Sequence, residues 1–406
     1  MHLNKTERIF NSVVIVAALG YFVDIYDLIL FSIVRVPSLR AIGIPEADLK
    51  SAGVFLIQMQ MIGMILGGIV WGMMGDKRGR LSTLFFTILL YSLANLANGF
   101  VQNFEQYAYL RVIAGFGLAG ELGIGITLVT EVMSKERRGW GTSMVSGIGI
   151  VGAALAFAFA EWGWREAYWA GGILGLMLLF LRMYVHESAM FDRVKEEKVQ
   201  RGNFLSFFKT RKQLLKYLYC ILIGIPVWFT IGILITFSKE FAEALQITAP
   251  INVGKGVMIH YMGAAIGSVL TGWLSQLFGS RKKSLLISMS FLTVVTAVYF
   301  SAFQWSLAAF YMLIFFLGVA QGYWAVFVTI AAEQFGTNLR STAATTIPNF
   351  VRGATVPLTM LWTYLSLQVG ILHAAIWVGL LTLILAFVGL YHLAETFGKE
   401  LDYTEE

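Results

Sequence analysis

Apolar residues run along this chain in long blocks, each closed by a short polar or glycine-rich break. Twelve blocks succeed one another, roughly at 11–34, 51–75, 81–101, 107–132, 141–162, 168–185, 215–238, 253–277, 284–303, 306–332, 342–367 and 371–394. A bilayer core about 30 Å thick is crossed by about 20 apolar residues in a helix, so the pattern predicts twelve membrane-spanning helices joined by short loops. The one long polar interruption, from about His186 to Lys216, divides them six and six. We therefore expect a six-helix bundle over 1–186, a cytoplasmic linker over 187–214 and a second six-helix bundle over 215–406. Within that linker NFLSFFKTRKQLLKYL alternates apolar and basic residues at helical spacing, which suits a helix lying on the membrane surface.

The two halves repeat each other at an offset of 200 residues. Gly63, Gly67, Gly72, Asp76 and Gly79 are matched by Gly263, Gly267, Gly272, Gln276 and Gly279. Glu131 and Arg138 are seven apart, as are Glu333 and Arg340. Duplication of a hydrophobic bundle is the construction of secondary transporters.

Composition removes the alternatives. The chain is 57% hydrophobic and 13% charged, with mean hydropathy +0.71, whereas soluble domains are about 45–50% apolar and about 25% charged. No P-loop, HExxH, GxSxG or cysteine cluster is present, so neither an enzyme nor an ATP-driven pump is expected, and no cofactor or metal. The lone Cys220 excludes an intramolecular disulfide. The net charge of +6 does not imply nucleic acid: 22 of the 30 Lys and Arg fall on the side that also holds both termini, and the positive-inside bias makes that side cytoplasmic. The opening MHLNKTERIF runs straight into a full-length span, so the first helix is expected to act as its own insertion signal. The expected product is a multi-pass, plasma-membrane protein, bacterial inner membrane by preference, working as a monomer in lipid.

The turn GMMGDKRGR, Gly72 to Arg80, matches the G-x-x-x-D-[RK]-x-G-R pattern between helices two and three of the major facilitator superfamily, which the chain resembles over its full length. The resemblance implies the major facilitator fold, all-α, with twelve transmembrane helices in two six-helix bundles. HESAMF after helix six and AETFGKEL at 394–401 are similar to signatures of sugar porters and their organic-ion relatives, as are ERRG at 136–139 and FGTNLR at 335–340. On this reading Gly72, Asp76, Gly79, Arg80, Glu131 and Arg138, with Glu333 and Arg340 in the copy, form an inner gate released when the halves rock. Glycines are expected to let one half lean on the other. Gln276 replaces the acid and Ser280 the arginine in the copy, so its latch should be weaker.

Charges inside spans are costly unless paired, protonated or wet, and are functional by default. Asp24 and Asp27 lie three apart on one helix face. Arg111 lies in the fourth span and Glu121 ten residues on. An arginine beside an aspartate favours its charged form, and separating the two lets the acid take a proton. Tyr26 and Asp27 followed by Arg111 before a glycine-rich helix resemble the proton site of proton-coupled sugar porters, and GFGLAGE at 115–121 resembles that of organic-acid and metabolite symporters. Asp27 and Arg111 are thus the expected coupling pair, with Asp24 and Glu121 as further candidates, Glu121 either titrating or closing a network with Arg111.

In the second half Arg352, within IPNFVRGATVP, is a candidate anion clamp, since a guanidinium presents a planar fork to a carboxylate. Asn349 flanks it. His260 and Tyr261 in the eighth span are a candidate relay or a satisfied core pair. Tyr21, Trp228, Gln321, Tyr323 and Trp324 fall in helices one, seven and ten, which line the cavity in this superfamily. The polar QQ-x-SG cluster of sugar porters is absent from helix seven, which reads GIPVWFTIGIL, and this lowers the case for a hexose. The expectation is a proton-coupled symporter of a small organic anion: a monocarboxylate, dicarboxylate or aromatic acid. The alternatives are a proton-driven exporter of amphipathic cations, a sugar symporter, and a non-transporting receptor.

Overall fold

The computed structural model describes residues 12–135, 137–182 and 201–405, Lys50 by its backbone alone. Half of the expected linker, 187–200, falls outside them. The spans are α1 (Ser12–Ala41), α2 (Leu49–Arg78), α3 (Arg80–Asn98), α4 (Phe104–Leu118 and Glu121–Val132), α5 (Arg138–Ile150 and Gly152–Ala160) and α6 (Trp164–Arg182). After the gap come α7 (Arg211–Phe229, continuing through Thr230–Ile235), α8 (Val253–Leu277), α9 (Arg281–Phe300), α10 (Leu307–Gln321 and Trp324–Glu333), α11 (Arg340–Gly353 and Thr355–Val369) and α12 (Ile371–His392).

Ten of these, among the described residues, are long and apolar enough to cross a bilayer by composition alone. The exceptions are α6, with Arg165, Glu166 and Arg182, and α11, whose first half reads RSTAATTIPNFVRG. That half of α11 is buried against α2, α4, α7 and α10, so it meets protein and not lipid. Of its hydroxyls, Thr346 donates locally to the Thr342 carbonyl at 2.6 Å and Thr342 donates to Asp76 of α2.

The duplication is visible in three dimensions. A Cβ on Gly63 or Gly67 would strike the carbonyls of Val112 or Phe116 in α4, and one on Gly263 or Gly267 those of Phe315 or Val319 in α10. These glycines therefore join helices within a half. Contact between halves falls to Gly72, whose Cβ would meet Thr342, and to Gly272, which faces Ser143. Helices α4 and α10 break at matching places, as do α5 and α11.

The segment NFLSFFKTRKQLLKYL is two elements and not one surface helix. Phe204–Phe208 forms a short 3-10 turn, and the Thr210 hydroxyl then accepts from Gln213 N–H at 3.2 Å, capping α7 four residues before the expected boundary. Phe207 is buried and stacks on Tyr217 at 4.6 Å, so the aromatic face packs into the second half.

On the face where α1 begins and α12 ends, the halves close on each other: the inner part of α11 runs against α2, and α5 against α8. On the far face the segment Thr355–Val369 packs on α12 and α7, leaving Tyr364 and Leu367 exposed.

Candidate functional site

Between the halves lies a cavity of about 30 Å³, room for two or three waters at the ~10–15 Å³ each requires. Tyr21, Ile25 and Leu28 of α1 reach it at positions i, i+4 and i+7 of one helix face. Its other walls are Ile150 at the break in α5, Trp228 and Ile231 of α7, His260 and Tyr261 of α8, Gln321 and Trp324 flanking the break in α10, and Arg352 before the break in α11. Interrupted helices supply unpaired backbone groups at membrane depth, and they are tolerated where they line a cavity.

Seven of the eight expected substrate residues thus meet in one place. Asn349 is the exception, and it stands behind Arg352: its amide Nδ2 donates to the carbonyls of Ala119, at the break in α4, at 2.9 Å and of Thr345 at 2.8 Å. Those bonds turn its Oδ1 toward Arg352 Nη1, 3.2 Å away. Tyr323 does not line the cavity; its hydroxyl donates to the Ile223 carbonyl.

Gln321 Nε2 donates to the Val227 carbonyl at 3.0 Å, which leaves Oε1 to accept from His260 Nε2 at 2.9 Å. This chain of bonds holds α7, α8 and α10 in register and assigns the proton of the neutral imidazole to Nε2. Arg352 lies 5.8 Å from the Trp324 ring centre, within cation–π range.

The acids of α1 sit beside the cavity wall. Asp24 and Asp27 are buried, and among the described residues no donor completes a hydrogen bond to either carboxyl. Arg352 Nη2 is 3.9 Å from Asp24 Oδ2 and so joins the two halves. The expected pair of Asp27 and Arg111 does not approach within 4 Å: Arg111 donates instead to Gln60 Oε1 and lies 4.6 Å over the Phe31 ring. Gly171 of α6 presses on the Asp27 carboxyl, where a Cβ would not fit.

Glu121 has a different partner from Arg111. Arg182 Nη2 reaches its Oε2 at 2.5 Å and Nη1 its Oε1 at 3.1 Å, while Thr87 donates to Oε1 at 2.7 Å. In the sequence Arg182 reads as one more linker cation, and its place inside the sixth apolar run is the only signal that it lies at membrane depth. Gln60 carries none.

The expected gate residues lie on the face of the termini. Asp76 accepts from Ser341 N–H at 3.0 Å and from Thr342 N–H and Oγ1 at 2.9 and 2.6 Å, all at the start of α11. Arg80, entering α3 after Gly79 at φ 110°, contacts Glu131 at 2.8 Å and donates to the Thr337 carbonyl of the other half. Glu131 also pairs with Arg340 at 2.9 Å, across the halves. Arg138 does not join that cluster as expected but donates to the Lys399 carbonyl of the C-terminal tail. In the copy the arginine is not lost: Arg281, one place beyond Ser280, pairs with Glu333 at 3.1 Å.

Residues 17–350 match the family model of the Major Facilitator Superfamily, and the chain belongs to that family of membrane transporters. It is similar to a probable 4-methylmuconolactone transporter of Cupriavidus pinatubonensis, 27% identical over 80% of this chain and 76% of the relative. It is also similar to a gentisate transporter of Corynebacterium glutamicum, 24% identical over 79% and 73%. The proton:xylose symporter XylE bound to 6-bromo-6-deoxy-D-glucose has the same fold, with a TM-score of 0.75 at 19% identity over 96% of this chain and 97% of that one.

Proposed function

We propose that this transporter carries a small organic anion, a ring-bearing carboxylate foremost, in symport with protons and by alternating access. The observation that carries the reading is the cavity itself: one guanidinium, Arg352, among Tyr21, Trp228, Tyr261 and Trp324. A planar fork holds a carboxylate, and aromatic faces hold a ring. The names of the methylmuconolactone and gentisate relatives support the same class. Proton coupling is assigned to Asp27 with Arg111. Their separation here fits one state of the cycle, in which a buried carboxyl with no ion-pair partner within 4 Å among the described residues carries its proton.

The gate closed by Asp76, Arg80, Glu131 and Arg340 is then the cytoplasmic one, with both termini inside, the basic loops on that side supporting the assignment. The two bundles, 1–186 and 215–406, rock about the cavity as a monomer in a bacterial inner membrane. Uptake by proteoliposomes under an imposed pH gradient tests the reading with gentisate, benzoate, xylose and ethidium as probes. We expect accumulation of the acids, its loss on dissipating the gradient, and loss of proton-driven accumulation in Asp27→Asn. Ethidium export or xylose accumulation without acid uptake would overturn it.

A further inference from the structure

We propose that Asp24 is a built-in stand-in for the carboxylate of the transported acid: it engages Arg352 before the substrate arrives and takes up a proton when the incoming carboxylate replaces it. The inference rests on the organic-anion reading and names how that site recognises its ligand.

Tyr21, Asp24, Ile25 and Leu28 share one face of α1, and the other three line the cavity. Asp24 meets the cavity's guanidinium at 3.9 Å, too far for a hydrogen bond, and neither of its oxygens receives one from any described residue. Charge alone holds the pair. A substrate carboxylate that reached Arg352 at hydrogen-bonding distance would make two charge-assisted bonds where Asp24 makes none.

The remaining charged and titratable groups facing Asp24 offer its carboxylate no second cation. Glu121 from α4 is committed to Arg182 of α6, Asp27 lies one turn along α1, and Tyr21 and Tyr261 are neutral hydroxyls. Among the described residues Arg352 is the one cation within 4 Å of Asp24. With its fork taken by the substrate, Asp24 would be a buried anion beside other carboxyls, and like charges at that range disfavour ionisation. The balance is simple: one carboxylate enters, one proton from water forms an O–H bond on Asp24, and the guanidinium is unchanged. Net charge in the cavity stays constant, and anion binding is linked to proton uptake at a residue distinct from Asp27.

The test measures protons taken up by the purified, weakly buffered protein on adding benzoate, with methyl benzoate as the same ring without the charge. We expect about one proton per benzoate bound and none for the ester. Asp24→Asn should bind benzoate with no uptake, whereas Asp27→Asn should keep it. Infrared difference spectra of the unaltered protein should gain the C=O stretch of a protonated carboxyl with benzoate and not with the ester, so the proposal stands or falls even where Asp24→Asn does not fold. Benzoate binding without proton uptake, or with uptake unchanged in Asp24→Asn, overturns this inference alone. If neither benzoate nor gentisate binds while ethidium or xylose does, the organic-anion reading falls and this inference with it.

Discussion

The turn between α2 and α3 and its copy between α8 and α9 descend from one pattern, yet in the first a buried acid bonds to the other half and in the copy an amide stands in its place. Asp76 lays a carboxylate on the first free N–H groups of α11, where the helix dipole also favours negative charge. Gln276 occupies the matching place beside Gly139 at the start of α5, and among the described residues its Nε2 finds no hydrogen-bond partner. An amide nitrogen facing a helix N-terminus presents donors to donors. The arginines diverge in the same sense: Arg80 reaches the Thr337 carbonyl across the interface, whereas Arg281 turns back to Glu333 and Ser275 of its own half.

What the copy lost in the interface it regained at the C-terminus. Glu395 accepts from the N–H groups of Arg281 and Lys282 and from Ser280, so the tail anchors α9. Burial works against that carboxylate's charge, but the bonds from Ser280 and from the Phe397, Arg281 and Lys282 N–H groups hold it below its ordinary range. The tail then crosses the seam between the halves, with Lys135 against Glu400 at 2.6 Å and Arg138 donating to the Lys399 carbonyl. One seam is thus latched by a buried acid and the other by a strap.

The largest effect should come from the acid. Asp76→Asn exchanges an acceptor for a donor at a buried helix start, a loss of about 1–3 kcal/mol or more. That is about a fivefold shift or greater toward opening on the face of the termini, read by labelling of cysteines placed there. Gln276→Ala should move the same readout by less than about twofold, since it removes an amide with no partner to lose. Equal shifts would show that the two seams do not differ as described.

Arg340→Gln and Arg281→Gln sharpen the comparison. Each breaks a buried ion pair, costing about 3–5 kcal/mol, but Arg340 spans the halves and Arg281 does not. The first should open the gate at nearly unchanged Tm, the second lower Tm with the gate population kept. The reverse assignment in paired labelling and thermal-shift measurements would place the latch in the wrong half.

The smallest effect concerns the strap. Glu395 titrates lower in the folded protein than in the unfolded chain, so its contribution is present above the ordinary carboxylate range and is lost as pH falls through the folded value. The protection factors of the Arg281 and Lys282 N–H groups, corrected for the intrinsic pH dependence of exchange, should therefore fall on acidification, and Glu395→Gln should show the lower protection already at neutral pH. Protection factors independent of pH in the unaltered protein would remove Glu395 from the anchor.

Much of the molecule was legible in its residues because lipid is a uniform solvent. It demands length and apolarity of every span and makes each interior charge conspicuous, so the duplication, the gate motif and Asp24, Asp27, Arg111, Glu121 and Arg352 stood out without coordinates. Even the first half of α11, too polar to register by hydropathy, kept its span length.

Partnerships were a different matter. That Glu121 belongs to Arg182, that Arg352 faces Asp24, that Arg111 turns to Gln60 and that Arg281 stands in for the missing arginine depend on how each helix is rotated about its own axis and where it breaks. Periodicity fixes which residues share a face but not which face meets which neighbour. Those rotations are set by close packing at small residues such as Gly20, Gly72 and Gly171, in contacts between segments far apart in the chain. The tertiary structure alone decides such contacts.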